Sequence, residues 1–124
     1  MSYTYSFEKL EVWKESKELC ILIYKLTESF PENEKFSLVS QLRRASISIS
    51  SNIAEGSGRN SNKDKAHFTN IAFSSAIEVL NQIIISQELN FIKNEDYIKI
   101  RSKIESITNK LNSLRNYQNS ISIK

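Results

Sequence analysis

Asp64 and His67 stand three residues apart in Asp64-Lys-Ala-His67, the spacing at which one helix face offers a carboxylate and an imidazole to a metal ion. A di-iron bundle site needs two such motifs plus facing glutamates, and His67 is the single histidine of the chain, so the pair makes no oxidation centre. Ser57 lies between Gly56 and Gly58, but Gly-Ser-Gly is not the Gly-x-Ser-x-Gly elbow that presents a nucleophile. Cys20, the only cysteine, follows Leu19 directly, reads as core or seam-flanking, and rules out an internal disulfide. No phosphate loop or dinucleotide fingerprint occurs. The pattern therefore predicts no catalytic residue, no metal and no cofactor.

The residue types that could do chemistry are the cations. Residues 1–55 carry 7 Lys/Arg against 8 Asp/Glu, and residues 56–124 carry 10 against 6, so a polyanion should prefer the second half. Arg59, Lys63 and Lys65 cluster around one loop and the start of a helix, with no acidic stripe evident opposite them. Lys99, Lys103 and Lys110 share a span of about 40° on another helix, a row along which a phosphate backbone could run. Glu11, Glu15 and Glu18 form a competing acidic stripe that could pair with that row. No aromatic-rich RNA-binding motif is present, so contacts to nucleic acid would be sequence-tolerant.

Four segments must position these groups. Breakers are few: Pro31 lies in Ser29-Phe-Pro-Glu-Asn-Glu34, and both glycines lie in Glu55-Gly-Ser-Gly-Arg59. A third break, Leu89–Asp96, has neither residue type, and there Asn94 can cap a helix whose first turn holds Glu95 and Asp96. Ser61 with Asp64 resembles a capping box, and Gly56 suits a left-handed helix end. Helices are predicted at roughly 7–29, 35–55, 62–89 and 94–118 within one domain spanning 1–124. Each carries a three-four seam: Val12, Ser16, Leu19, Ile23, Leu26 and Phe30; Leu38, Leu42, Ala45, Ile49 and Asn52; Phe68, Ala72, Ser75, Val79 and Ile83 or Ser86; Tyr97, Ile100, Ile104, Ile107, Leu111 and Leu114. Short connections favour antiparallel neighbours. The expected fold is all-α, an antiparallel up-down-up-down left-handed four-helix bundle.

Two helices carry more apolar surface than one seam uses. In the third, Phe73, Ile77, Leu80 and Ile84 lie roughly 140° from the first seam. In the second, Ile47 and Ala54 fall on the same stripe as Arg43. A solitary bundle would leave these seven in water, so they are the candidate interface of a homo-oligomer. Asn52 on the seam needs hydrogen bonds, and with Arg44, Glu55 and Glu78 it forms a candidate structural polar network, in which Glu55 or Glu78 could pair with Arg43 or Arg44.

The run Gln41-Leu-Arg-Arg-Ala-Ser-Ile-Ser-Ile-Ser-Ser-Asn-Ile-Ala-Glu-Gly-Ser-Gly-Arg59 resembles the signature of the 23S rRNA intervening-sequence protein family. Arg44, Ala45, Ser48, Ile49, Asn52, Ile53, Ala54, Glu55, Gly56, Gly58 and Arg59 match it. The opening Phe7-Glu-Lys-Leu-Glu-Val-Trp13, then Tyr24, Phe30, Pro31, Ala72, Ser75 and Glu78, match as well, so the resemblance spans nearly the whole chain. Ser74 stands where the family usually has glycine, and Leu80 where a second acid usually follows Glu78. The resemblance implies a homopentamer of four-helix bundles. It also implies similarity to the accessory variability determinants of retroelements, basic pentamers that bind nucleic acid and a reverse transcriptase. The expectation is a non-catalytic homo-oligomeric accessory protein that associates with RNA or DNA. The alternative is an oligomeric scaffold that recruits a protein such as a reverse transcriptase without binding nucleic acid itself. With no apolar run near the ~20 residues of a membrane span and no basic-to-apolar leader after Met1, the expected place is the cytoplasm, away from membrane.

Overall fold

Turn chemistry decides where the rods begin and end. In the computed structural model, which describes residues 2–123, the helices are α1 (Glu11–Thr27), α2 (Ser40–Ser57), α3 (Asn62–Glu88) and α4 (Asn94–Ile123). Leu10 is extended, so the first predicted helix splits into a 3₁₀ turn, Ser6–Lys9, and α1. Glu8 closes that turn by accepting from the Tyr5 N–H at 2.7 Å. After Pro31 come a second 3₁₀ turn, Glu32–Glu34, and one π-helical turn, Lys35–Val39, which delays α2 to Ser40.

Ser61 caps α3 as expected, its Oγ accepting from the Asp64 N–H at 3.1 Å. The break without glycine is made by Asn90, which takes φ 64°. Asparagine tolerates this left-handed region better than most residues. The Asn90 N–H then donates to the Gln87 carbonyl and the Phe91 N–H to the Ser86 carbonyl, a Schellman closure. It swings Phe91 onto Phe30, with ring centroids 5.5 Å apart. Two cap readings are corrected here. Asn94 is the first residue of α4, and its Oδ1 accepts from Gln87 instead of capping. Gly56 lies inside α2 with no positive φ; it is small because a Cβ there would stand 2.8 Å from Phe68 Cβ.

Cross-links between helices run in opposite numerical order, which makes every neighbouring pair antiparallel. Arg43 reaches Thr27 and Ser46 reaches Cys20 across α1–α2. Arg44 reaches Glu78 and Ser48 reaches Ser75 across α2–α3. Asn70 meets Arg115 and Gln87 meets Asn94 across α3–α4. Glu18 meets Lys103 and Glu15 meets Lys110 where α4 closes on α1.

The predicted seams form the core: Leu19, Ile23, Leu42, Ile49, Val79, Ile83, Ile104, Ile107 and Leu111 are all fully buried. Polar seam residues satisfy themselves locally. Ser16 donates to the Val12 carbonyl and Ser86 to the Gln82 carbonyl, each at 2.7 Å. Among the described residues α3 alone is long and apolar enough in composition to cross a bilayer, contrary to the expectation of no such segment. Its Ala72, Ala76, Val79 and Ile83 are buried within the bundle, packed between α2 and α4.

Candidate nucleic-acid interface

The α4 row of cations is largely neutralised by α1. Lys103 Nζ sits 2.9 Å from Glu18 Oε1, and Lys110 pairs with Glu15, which also accepts from the Ser106 hydroxyl at 2.7 Å. Burial at this seam works against ionisation of Glu15. The hydrogen bonds from Lys110 and Ser106 outweigh it, so the carboxyl is held below its ordinary value of 4.5. The same hydrogen bond raises Lys110 above 10.5. Of the predicted row only Lys99 stays exposed and without an ion pair among the described residues.

At the opposite end of α3 the picture differs. Lys63 and Lys65, in its first turns, form no ion pair among the described residues; Lys63 is exposed and Lys65 half-buried. Arg59 is the exception in this cluster, for it meets a single carboxylate. Its Nη2 lies 3.0 Å from Glu55 Oε2, one turn back on α2. The guanidinium also lies over the Phe68 ring, 4.5 Å from its centroid. Gly56 permits the close α2–α3 approach that places Phe68 there.

Sequence reasoning missed the neighbours of this corner. Ser57, Asn62, Lys65, Thr69, Tyr117 and Gln118 surround a hollow of about 170 Å³ beside Gly56. Gln118 and Tyr117 belong to the last turns of α4, at the edge of the predicted boundary of 118. The signal was available: Gln118 stands four past Leu114, so the seam continues into a buried amide, which accepts from the Thr69 hydroxyl at 2.8 Å.

The polar network resolves into three separate groups. Arg44 pairs with Glu78 at 3.5 Å. Asn52 Nδ2 donates to the Ser48 carbonyl at 2.8 Å, and Ser48 exchanges a hydrogen bond with Ser75 across to α3. Glu55 turns to Arg59, not to Arg43 or Arg44. Arg43 also departs from the interface reading. It clamps α1 to α2, donating to Thr27 Oγ1 at 2.9 Å and to the Tyr24 carbonyl at 3.2 Å, with its guanidinium over the Tyr24 ring. The outer stripe is uneven as well. Phe73 and Leu80 of α3 pack against the core, and Ala54 of α2 and Ile84 of α3 are half-buried. Ile47 and Ile77 do stay in solvent, 42% and 44% exposed. His67 is exposed, its ring edge-on to Phe68.

Comparison with known proteins agrees with this architecture. The family model described as 23S rRNA-intervening sequence protein matches residues 8–113. A crystal structure of a protein with unknown function from the S23 ribosomal protein family of Bacteroides thetaiotaomicron VPI-5482 superposes with a TM-score of 0.76 at 27% identity. The match covers 84% of this chain and 97% of that one. Among curated proteins none matches.

Proposed function

The chain belongs to the 23S rRNA-intervening sequence protein family, and we propose that it is a non-catalytic, homo-oligomeric accessory protein of the cytoplasm that holds nucleic acid through phosphate contacts. The observation that carries the reading is the corner at the start of α3, where Lys63 and Lys65 have no ion pair among the described residues and stand beside Arg59, while Lys103 and Lys110 of α4 are matched by Glu18 and Glu15. Unmatched cations release counterions when a phosphate backbone binds, and that release drives sequence-tolerant affinity. A formal charge of +3 per chain is modest. Repeated around an oligomer it acts through avidity, since one bound stretch holds the next near its patch.

Titration of labelled RNA and DNA at rising salt tests the binding. Affinity should fall steeply and similarly for unrelated sequences, and no binding at low salt would defeat the reading. Light scattering coupled to size exclusion tests the assembly, with an expected mass several times 14.3 kDa. A pentamer is the count the family resemblance supplies. Ile47→Glu and Ile77→Glu should lower that mass without unfolding the protomer, as both side chains already meet solvent in the single chain. Leu80, another residue of that stripe, packs on the core, so a charge there would disturb the protomer itself.

One observation favours a second reading, a scaffold for a protein partner such as a reverse transcriptase. Phe36 is 90% exposed, in a groove it shares with Tyr24, Ile47 and Arg44. Loss of partner capture on Phe36→Ala, in a protein that binds no nucleic acid at low salt, would favour it.

A further inference from the structure

Beyond phosphate contacts, the geometry points to a seat for one unstacked base of a single strand, in the hollow between the end of α2, the start of α3 and the end of α4. The inference rests on the nucleic-acid reading above and deepens it by naming the class of strand.

A nucleobase is apolar on its faces and polar at its edges, so a seat for it needs apolar walls, hydrogen-bonding groups at the rim and a ring to stack on. The hollow supplies all three. Leu10, Ile53 and Leu114 make its apolar lining. At the rim, the Asn62 amide has no partner among the described residues, and Ser57 Oγ, which donates to the Ala54 carbonyl at 2.8 Å, keeps its acceptor capacity. Tyr117 also lines the hollow and is 64% exposed, an aromatic residue the protein leaves largely uncovered. Lys65 lines the same hollow and Lys63 is exposed nearby on the same helix turn, both unpaired, so the phosphates on either side of a seated base meet cations. The first turn of α3 adds its positive end, an aid to phosphate that would not by itself make a site.

Size selects the ligand. About 170 Å³ is below the roughly 300–1,000 Å³ of small-molecule sites, and suits one flat base better than a cofactor. Bases in a duplex are stacked and present only their edges in the grooves, so the seat excludes them. Single strands are the class whose bases are free to enter.

The test uses the full chain and fluorescein-labelled 12-mers: oligo-U, oligo-dT and a mixed-sequence duplex, read by anisotropy at low salt. A 2-aminopurine strand reports stacking directly. The single strands should bind more tightly than the duplex. Tyr117→Ala should weaken single-strand binding at least about fivefold, leave duplex binding within about twofold, and abolish the quenching of 2-aminopurine. Tyr117→Phe, which keeps the ring, should restore both. Lys65→Gln should weaken all strands alike, and circular dichroism melts should show each variant folded. If Tyr117→Ala binds single strands as the parent does, or polyglutamate displaces them as readily as poly-U, the base seat is wrong while phosphate binding stands. If no strand of any kind binds, the nucleic-acid reading falls and takes the seat with it.

Discussion

Lys103 and Lys110 on α4, and Lys63 and Lys65 on α3, are the same residue type at helical spacing on the same bundle. The first pair faces Glu18 and Glu15 of α1, and its charge is spent inside the fold. In the second pair Lys63 is exposed and Lys65, half-buried, lines a hollow, and neither meets a carboxylate among the described residues. The difference comes from which helix lies alongside, because α4 closes the ring against α1, whose outer face carries a run of glutamates. A row of cations is therefore evidence for a binding surface only once its neighbour is known.

Charge reversal of each pair separates the two groups most strongly. Lys63→Glu with Lys65→Glu should lower nucleic-acid affinity by roughly thirtyfold or more and reduce the salt slope by about 0.7–0.9 per charge removed. The thermal midpoint should hold, because neither lysine has an ion pair to lose. Binding that survives the reversal moves the surface elsewhere.

Next in size is Gly56→Ala, which asks whether the corner depends on close helix approach. The new Cβ meets Phe68 Cβ at 2.8 Å, and neither atom is the free end of a flexible chain. Helix propensity favours alanine by up to about 1 kcal/mol, while overpacking costs about 1–3 kcal/mol. The net expectation is a midpoint lower by several degrees in a calorimetric scan, with a smaller loss of affinity as Phe68 and the Arg59 resting on it shift.

Reversing the other pair, Lys103→Glu with Lys110→Glu, should have the opposite signature. Like charges then face each other across α1–α4, so the midpoint falls by a few degrees while affinity changes less than about threefold. An affinity loss as large as that of the Lys63 and Lys65 reversal would erase the distinction between the two groups.

The smallest effect is in pH. Glu15 is held below 4.5 in the folded chain, so its contribution is present above that value and is lost as pH falls through the depressed folded value. Lys110 is held above 10.5, so its contribution is present below that value and is lost as pH rises through the raised one. Chemical denaturation of Glu15→Gln across both windows should show a flatter pH dependence than the parent. An identical profile would mean the pair adds nothing measurable to the seam.

Periodicity made the seams legible, since Leu19, Ile49, Val79 and Ile104 had to share an interior once each helix had one apolar face. The ends were less legible, because caps depend on one or two backbone groups. Ser61 acts as its sequence suggests, whereas Asn94 begins α4 without capping it and Asn90 makes the left-handed turn that ends α3. The stretch Lys35–Val39 folds as a wider helical turn that no spacing announced.

The sequence by itself determined four amphipathic helices, their order, the family and the excess of cations after residue 55, because these follow from local spacing, composition and a contiguous motif. Only the tertiary structure decided which cations are free, that Arg43 is a clamp, that Leu80 leans on the core, and that Tyr117 and Lys65 share a hollow. Those facts depend on how each helix is rotated against its neighbours, and that rotation is set by side chains far apart in the chain, packing together around one core.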